Sequence, residues 1–146
     1  SLELKGSNEA TAAELSKDKL MLNVRNQKGD VKQRIVAISE DNGETWTSEY
    51  FDEKLIDPVC EGSLLNIGGK KLAFTNAADT KNRNNLTLRI SKDEGKTWSK
   101  SILIDGQDGK SDFTAYSDIV KISKREVGVL YERDNYKEIV FRIVKW

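Results

Sequence analysis

Two stretches of the chain, Ser39-Glu-Asp-Asn-Gly-Glu-Thr-Trp46 and Ser91-Lys-Asp-Glu-Gly-Lys-Thr-Trp98, share the pattern S-x-D-x-G-x-T-W and begin 52 residues apart. The pattern is typical of a hairpin turn. Its aspartate can accept hydrogen bonds from nearby backbone amides, its glycine can adopt a positive φ, and its tryptophan can pack beneath the turn. The repeat therefore predicts two equivalent β-hairpins.

Eleven β-strands are predicted around these hairpins, because apolar and polar residues alternate with period two on either side of each turn. A helical capping box at residues 11–14 is the one local conflict, and that stretch is too short to favour a helix. The predicted strands fall into three groups: 10–15, 19–25, 31–39 and 47–51; 61–67, 70–76, 86–91 and 101–104; and 116–122, 127–132 and 139–144.

Groups of four, four and three strands, with a period near fifty residues, match the four-stranded blades of a β-propeller. The third group lacks an outer strand, which an N-terminal strand commonly supplies in such folds. The alternative is a small self-contained β-sandwich that carries two similar turns. Since an open piece of a propeller leaves two sheet faces uncovered, we expect a partner segment or chain to complete it.

The amino-acid composition limits the kinds of catalytic or metal-binding site that the chain can form. The 146 residues include 24 basic and 24 acidic side chains, so net charge gives no reason to expect a nucleic-acid partner. The chain has no histidine and a single cysteine, which argues against a metal site or an internal disulfide. No stretch reaches the ~18 apolar residues of a membrane span. Chemistry must rest on carboxylates, tyrosine, arginine or Cys60, and we expect no cofactor.

The segments before, between and after the two repeats carry a more specific resemblance. The Ser-x-Asp-x-Gly-x-Thr-Trp stretches, at 39–46 and 91–98, are Asp-boxes, also called BNR repeats, which by themselves indicate a fold. Asn8-Glu-Ala-Thr-Ala-Ala-Glu-Leu15, Asp57-Pro-Val-Cys-Glu-Gly-Ser-Leu64, Asn82-Arg-Asn-Asn-Leu-Thr-Leu-Arg-Ile-Ser91 and Ala115-Tyr-Ser-Asp118 resemble consecutive segments of the exo-α-sialidases. The resemblance covers nearly the whole chain, in family order.

This resemblance implies an all-β fold, a six-bladed propeller of which residues 1–146 form the C-terminal half, about the last three blades. It also implies hydrolysis of sialic-acid-terminated glycans with retention, through a tyrosyl-glycosyl intermediate. By the same resemblance Tyr116 is the nucleophile, Glu9 its proton acceptor, and Arg25 and Arg83 bind the substrate carboxylate. The family's Arg-Ile-Pro arginine and acid/base aspartate belong to the N-terminal half, and no Arg-Ile-Pro occurs here.

Several residues have a plainer interpretation. Glu61 could face the pocket, but a structural role is at least as plausible. Glu14 fits a solvated side chain, and Arg89, alternating with apolar neighbours, is expected to point outward. Cys60 fits a small buried apolar residue. The tryptophans of the Asp-boxes are expected to be structural.

Three functional interpretations remain open at this point: a sialidase completed by its N-terminal half, a non-catalytic Asp-box propeller that binds glycan or protein, and a truncated or cleaved product that folds only with a complementary chain. Family resemblance favours a secreted or periplasmic location, and a single cysteine fits any compartment.

Overall fold

The computed structural model describes residues 2–146, and within them every regular element is a β-strand. The strands form three antiparallel sheets in chain order. The first sheet contains β1 (Ser7–Glu14), β2 (Leu20–Asn26), β3 (Gln33–Ser39) and β4 (Ser48–Ile56). The second contains β5 (Gly62–Gly68), β6 (Lys71–Ala77), β7 (Leu86–Ser91) and β8 (Lys100–Asp105). The third contains β9 (Thr114–Lys121), β10 (Glu126–Arg133) and β11 (Glu138–Lys145).

Each sheet is a simple up-and-down meander, so strands adjacent in the chain are hydrogen-bonded neighbours. All eleven predicted strands are present, and the grouping into four, four and three is confirmed. The largest difference is at β4, which continues to Ile56 instead of ending near residue 51. The capping-box stretch at 11–14 lies within β1 and is not helical.

The sheets stack face to face through two hydrophobic cores. The core between the first and second sheets includes Met21, Leu64 and Phe74, and the core between the second and third includes Leu88, Val129 and Tyr131. The first strand of the second sheet, β5, packs against both β1 and β9. The second sheet is therefore covered on both faces, and it holds the first strands of all three sheets side by side.

The two Asp-boxes form the β3–β4 and β7–β8 turns with the same hydrogen bonds. Asp41 accepts bonds from the Thr45 N–H at 2.9 Å and the Thr45 hydroxyl at 2.6 Å, and Asp93 accepts the corresponding bonds from Thr97 at 2.9 and 2.7 Å. The box glycines have φ of 92° and 83°, as the pattern predicts. Both tryptophans are half-buried, and Trp98 packs on Phe74.

The prediction that Arg89 points outward is wrong. All six residues of β7 are buried, and the Arg89 guanidinium donates a hydrogen bond to Asn76 Oδ1 at 3.2 Å. Alternation along β7 separates two buried faces, because this strand lies in a sheet that is covered on both sides. Two other predictions are confirmed: Glu14 is exposed and Cys60 is fully buried.

One face of the third sheet is open. Six apolar side chains on β9–β11 and the turn after β9 have exposed fractions between 46% and 66%: Val120, Ile122, Leu130, Ile139, Phe141 and Ile143. No fourth strand pairs with β11 among residues 2–146. Within the same residues no helix is long and apolar enough to cross a membrane.

Candidate active site

The residues predicted to carry the chemistry meet at one end of the sheets. Glu9 lies near the start of β1 and Arg25 near the end of β2, which is the same end of the first sheet because these strands are antiparallel. Arg83 lies in the loop from β6 to β7, and Tyr116 lies near the start of β9. The Asp-box turns connect the opposite ends of the strands. The structure therefore separates the candidate site from the turns that identify the repeat.

Glu9, Arg25 and Tyr116 form a hydrogen-bonded triangle. The Tyr116 hydroxyl donates to Glu9 Oε1. Arg25 Nη1 donates to Glu9 Oε2 at 2.7 Å and to the Tyr116 hydroxyl oxygen at 3.0 Å. Three residues from the first and third sheets thus share one network, and each polar atom of the phenol and the carboxylate has a partner in it.

The charges in this triangle set its protonation state. Burial disfavours the ionised form of Glu9, but hydrogen bonds from Tyr116 and Arg25 outweigh that penalty and hold the pKa of Glu9 below its ordinary value. The hydrogen bond to Glu9, followed by burial, raises the pKa of the Tyr116 phenol above 10. At neutral pH the resting site therefore contains a neutral phenol beside an ionised carboxylate.

Arg83 completes one side of the site. Its guanidinium lies 5.7 Å from the centre of the Tyr116 ring and donates hydrogen bonds to the Val59 carbonyl oxygen at 3.2 Å and the Tyr136 hydroxyl oxygen at 3.1 Å. The Arg83 backbone is also fixed, because its carbonyl oxygen accepts a bond from the Thr114 N–H at 3.0 Å. All four residues predicted from the resemblance are brought together.

The loop that precedes β5 carries Glu61 and is anchored by a buried ion pair. Arg34, fully buried on β3, donates to Asp57 Oδ2 at 3.2 Å and to the Cys60 carbonyl oxygen. Asp57 in turn accepts a bond from the Cys60 N–H at 2.9 Å. Val59 has a φ of 66°, which is unusual for a β-branched residue. This anchored turn presents the Val59 carbonyl to Arg83.

Glu61 lies beside Tyr116, but its hydrogen bond goes to the backbone of the next residue, Ser117. Glu61 Oε2 accepts a hydrogen bond from the Ser117 N–H at 3.0 Å. Burial raises the pKa of Glu61 to about 7, against the opposing effects of that hydrogen bond and of Arg34. The buried Cys60 thiol, whose pKa burial raises to about 12, is not placed to act as a nucleophile.

Two residues of this region were not singled out from the sequence. Glu132, on β10, accepts a hydrogen bond from the Tyr116 N–H at 3.2 Å, and Tyr136 bonds to Arg83. Glu132 ends a stretch that resembles the sialidases and Tyr136 follows that stretch, but the resemblance does not assign a role to either residue.

A pocket of about 360 Å³ lies beside the triangle, lined by Glu61, Tyr116, Ser117, Asp118, Leu130, Tyr131, Glu132 and Ile139. Its lining does not include Arg25 or Arg83, and Leu130 and Ile139 belong to the open apolar face of the third sheet. The pocket therefore borders both the candidate site and the open apolar face of the third sheet. In residues 2–146 no group of three or more His, Cys, Asp or Glu side chains is placed to hold a metal ion.

Comparison with known families agrees with the fold and the repeat. A family model described as a BNR repeat-like domain matches residues 2–129. The chain belongs to the family of BNR repeat-like domains. Among curated relatives of this BNR repeat-like chain, a sialidase of Bacteroides fragilis is 36% identical over 94% of the chain and 26% of the relative, and a sialidase of Micromonospora viridifaciens is 31% identical over 87% and 20%. The chain spans about a quarter or less of these relatives.

Several of the solved structures that are similar to this BNR repeat-like chain carry sialidase names. The Hadza microbial sialidase Hz136 superposes with a TM-score of 0.78 at 31% identity, over 96% of the chain and 28% of that protein. The leech intramolecular trans-sialidase has a TM-score of 0.76 over 94% of the chain and 23% of that protein, and at 19% identity it supports the fold alone. The predicted propeller fold is confirmed, and the self-contained sandwich is not supported.

Proposed function

We propose that this chain supplies the nucleophile side of the active site of an exo-α-sialidase, which hydrolyses terminal sialic acids with retention once the propeller is complete. The single observation that carries the proposal is the triangle of Tyr116, Glu9 and Arg25, in which a tyrosine hydroxyl donates to a carboxylate beside an arginine. Identity to named sialidases over most of the chain supports the substrate class.

A tyrosine suits this substrate for an electrostatic reason. The anomeric carbon of a sialic acid carries a carboxylate, so an Asp or Glu nucleophile would approach it against like-charge repulsion. A neutral phenol avoids that repulsion, and sialidases are the tyrosine exception among glycosidases. We assign binding of the substrate carboxylate to Arg25 and Arg83, because a guanidinium offers paired N–H donors and remains charged.

The triangle then accounts for the first step. As the Tyr116 oxygen forms a bond to the anomeric carbon, the glycosidic bond breaks and the phenolic proton passes to Glu9. The leaving oxygen takes a proton from an acid that we assign to the rest of the propeller. Because the pKa of Tyr116 is raised in the resting site, we infer that its proton leaves together with bond formation and not before it.

The second step reverses the first. Water attacks the anomeric carbon and gives up a proton to the acid/base that we assign to the rest of the propeller, which was left deprotonated by the first step. The bond to the Tyr116 oxygen breaks, and Glu9 returns its proton to the phenolate. Arg25 Nη1 already contacts the phenol oxygen at 3.0 Å, so its charge stabilises the departing phenolate. Two displacements at one carbon give net retention.

The open face of the third sheet supports the proposed partner. Exposed apolar side chains on this face, including Leu130 and Phe141, would be covered by a further blade from the rest of the protein or from a complementary chain. Sedimentation of residues 1–146 tests this: we expect self-association, whereas a stable monomer that unfolds cooperatively would contradict it.

A secreted or periplasmic location stays a prediction.

Substitution of the nucleophile tests the proposed function. In the complete protein, Tyr116→Phe removes only the hydroxyl, and we expect hydrolysis of an aryl sialoside to fall by at least ~10³-fold while the melting temperature changes little. Turnover equal to that of the wild type would refute the assignment. Intact sialoside binding without any turnover in the wild-type protein would instead favour a non-catalytic glycan-binding propeller.

A further inference from the structure

The backbone of β9 is irregular at Tyr116. Pairing between β9 and β10 is regular from Val127 opposite Lys121 to Tyr131 opposite Ser117, and it then slips so that Arg133 lies opposite Thr114. Two residues of β9, at positions 115 and 116, thus lie opposite the single residue at position 132 of β10. This is a β-bulge, a feature that bends a strand, interrupts the ladder and re-aims a side chain.

Carboxylates bind the backbone at this bulge from two directions. Glu132, on the neighbouring strand, accepts the Tyr116 N–H at 3.2 Å. Glu61, from the loop before β5 of the second sheet, accepts the Ser117 N–H at 3.0 Å. Ser117 is 5% exposed, and its hydroxyl is also bonded to Thr75 Oγ1 at 3.0 Å. Removal of the Glu61 carboxylate would take this acceptor away from the N–H of a residue that is almost fully buried.

We propose that Glu61 is a positioning residue, which holds the bulge at Tyr116 by accepting the Ser117 N–H and thereby keeps the Tyr116 hydroxyl on Glu9. The expected effect on kcat rests on the proposed function, but the hydrogen bond from the Ser117 N–H to Glu61 does not depend on it. Glu61 is not assigned a catalytic role, because its hydrogen bond goes to the backbone and the Tyr116 hydroxyl is already bonded to Glu9 and Arg25.

The surroundings of Glu61 make this contact sensitive to pH. Arg34 on β3 favours the ionised carboxylate, whereas Asp118 on β9 and Glu9 on β1 disfavour it. Burial is the largest effect, and it raises the pKa of Glu61 to about 7. An ionised carboxylate accepts a stronger hydrogen bond than a neutral one. The hydrogen bond from the Ser117 N–H to Glu61, which we call the clamp, therefore becomes stronger as pH rises through neutrality.

Two substitutions at position 61 separate positioning from other roles in the complete protein. Glu61→Gln keeps an oxygen acceptor, and we expect kcat within about threefold of the wild type. Glu61→Leu removes the acceptor, and we expect kcat to fall ~10- to 100-fold with KM within about twofold, because a displaced nucleophile slows the reaction more than it weakens binding. Glu14→Leu, at an exposed position of β1, is the matched control and should behave as the wild type.

Other kinetic outcomes would overturn the inference. Wild-type kcat in Glu61→Leu would show that the clamp is dispensable. A raised KM with unchanged kcat would make Glu61 a substrate contact. Equal loss of kcat in the Gln and Leu variants would point to a requirement for the charge itself, as in proton transfer. Thermal melting shows whether the Glu61→Leu variant is folded. If it is not folded, kcat of Glu61→Gln and the nuclear magnetic resonance titration described next test the positioning role.

A nuclear magnetic resonance titration tests the clamp without using activity. In the complete protein labelled with ¹⁵N-serine, the Ser117 amide resonance, assigned by its loss in Ser117→Ala, should shift with an apparent pKa near 7. The shift should disappear in Glu61→Gln and persist in Glu14→Gln. A resonance that does not move between pH 5 and 9, or one that still titrates in Glu61→Gln, would overturn the clamp. If the wild-type protein does not hydrolyse a sialoside, the proposed function is refuted, but the titration still tests the hydrogen bond between Ser117 and Glu61.

Discussion

The Tyr116 hydroxyl donates a hydrogen bond to the Glu9 carboxylate, although the two residues are 107 positions apart and lie on different sheets. No turn or local sequence pattern brings them together. They meet because β5 of the second sheet packs against both β1 and β9. The pair is thus a product of sheet stacking, and substitutions in it report on chemistry more directly than on local folding.

Glu9→Gln tests the proton acceptor. Glutamine can accept the hydrogen bond but is a very poor base, so we expect kcat for an aryl sialoside to fall ~10²- to 10⁴-fold with a small change in KM. The pKa of Tyr116 should also fall, because the hydrogen bond to an ionised Glu9 raises it. Ultraviolet titration, with Tyr116→Phe as reference, measures that change. An unaltered kcat would exclude Glu9 as the base.

Arg83→Lys tests recognition of the substrate carboxylate. Lysine keeps the charge but loses the paired N–H donors that contact Val59 and Tyr136. We expect KM to rise about tenfold, with a smaller effect on kcat, measured by steady-state kinetics. Tyr136→Phe, which removes only one hydroxyl from this cluster, serves as comparison and should change KM less. Identical KM values for wild type and Arg83→Lys would contradict the role.

The pKa of Glu61 also predicts how stability depends on pH. Because its folded pKa is raised from 4.5 to about 7, the folded state holds this proton more tightly than the unfolded state. Its contribution to stability is therefore present below about pH 4.5 and is lost as pH rises toward 7. Relative to wild type, Glu61→Gln should gain on the order of 1–3 kcal/mol between pH 4.5 and 8. Melting curves at both pH values check this, and a constant difference would contradict it.

Arg34→Met tests the anchor of the loop before β5. The substitution leaves the buried Asp57 carboxylate without its ion-pair partner, and we expect the free energy of unfolding to fall by about 3–5 kcal/mol. Denaturant unfolding of the complete protein measures the loss. Lys32→Met, at an exposed position one residue before β3, is the matched control. Similar stability for the two variants would mean that the pair is not needed to hold the loop.

The fold was predictable because its signals are local. The Asp-boxes specify their own turns through contacts four residues apart, as between Asp41 and Thr45, and alternation specifies the strands between them. What alternation does not reveal is whether the second face of a strand is covered. Arg89 shows this limit, since its burial depends on the first sheet, which is distant in sequence.

The grouping of the candidate site residues was predictable only through resemblance. A spacing of 16 residues between Glu9 and Arg25 has a physical basis, because they lie on paired strands of one hairpin. The contacts to Tyr116 do not have a comparable sequence signal. Likewise, the roles of Glu61 and Glu132 at the bulge depend on strand register, which a slip of one residue decides. Such a slip leaves no signature in residue type.

The Asp-box turns connect the strand ends opposite to the Glu9–Tyr116 pair, and Glu44 and Lys96 within them are exposed. The candidate site and the Asp-box turns therefore lie at opposite ends of the sheets, and a label can be attached at the turns without approaching the site. A dye, a surface tether or a fused carrier attached through position 44 or 96 would leave the Asp41 and Asp93 hydrogen bonds intact and would point away from the candidate site. Immobilisation through these turns is therefore expected to orient every molecule with its site toward solution.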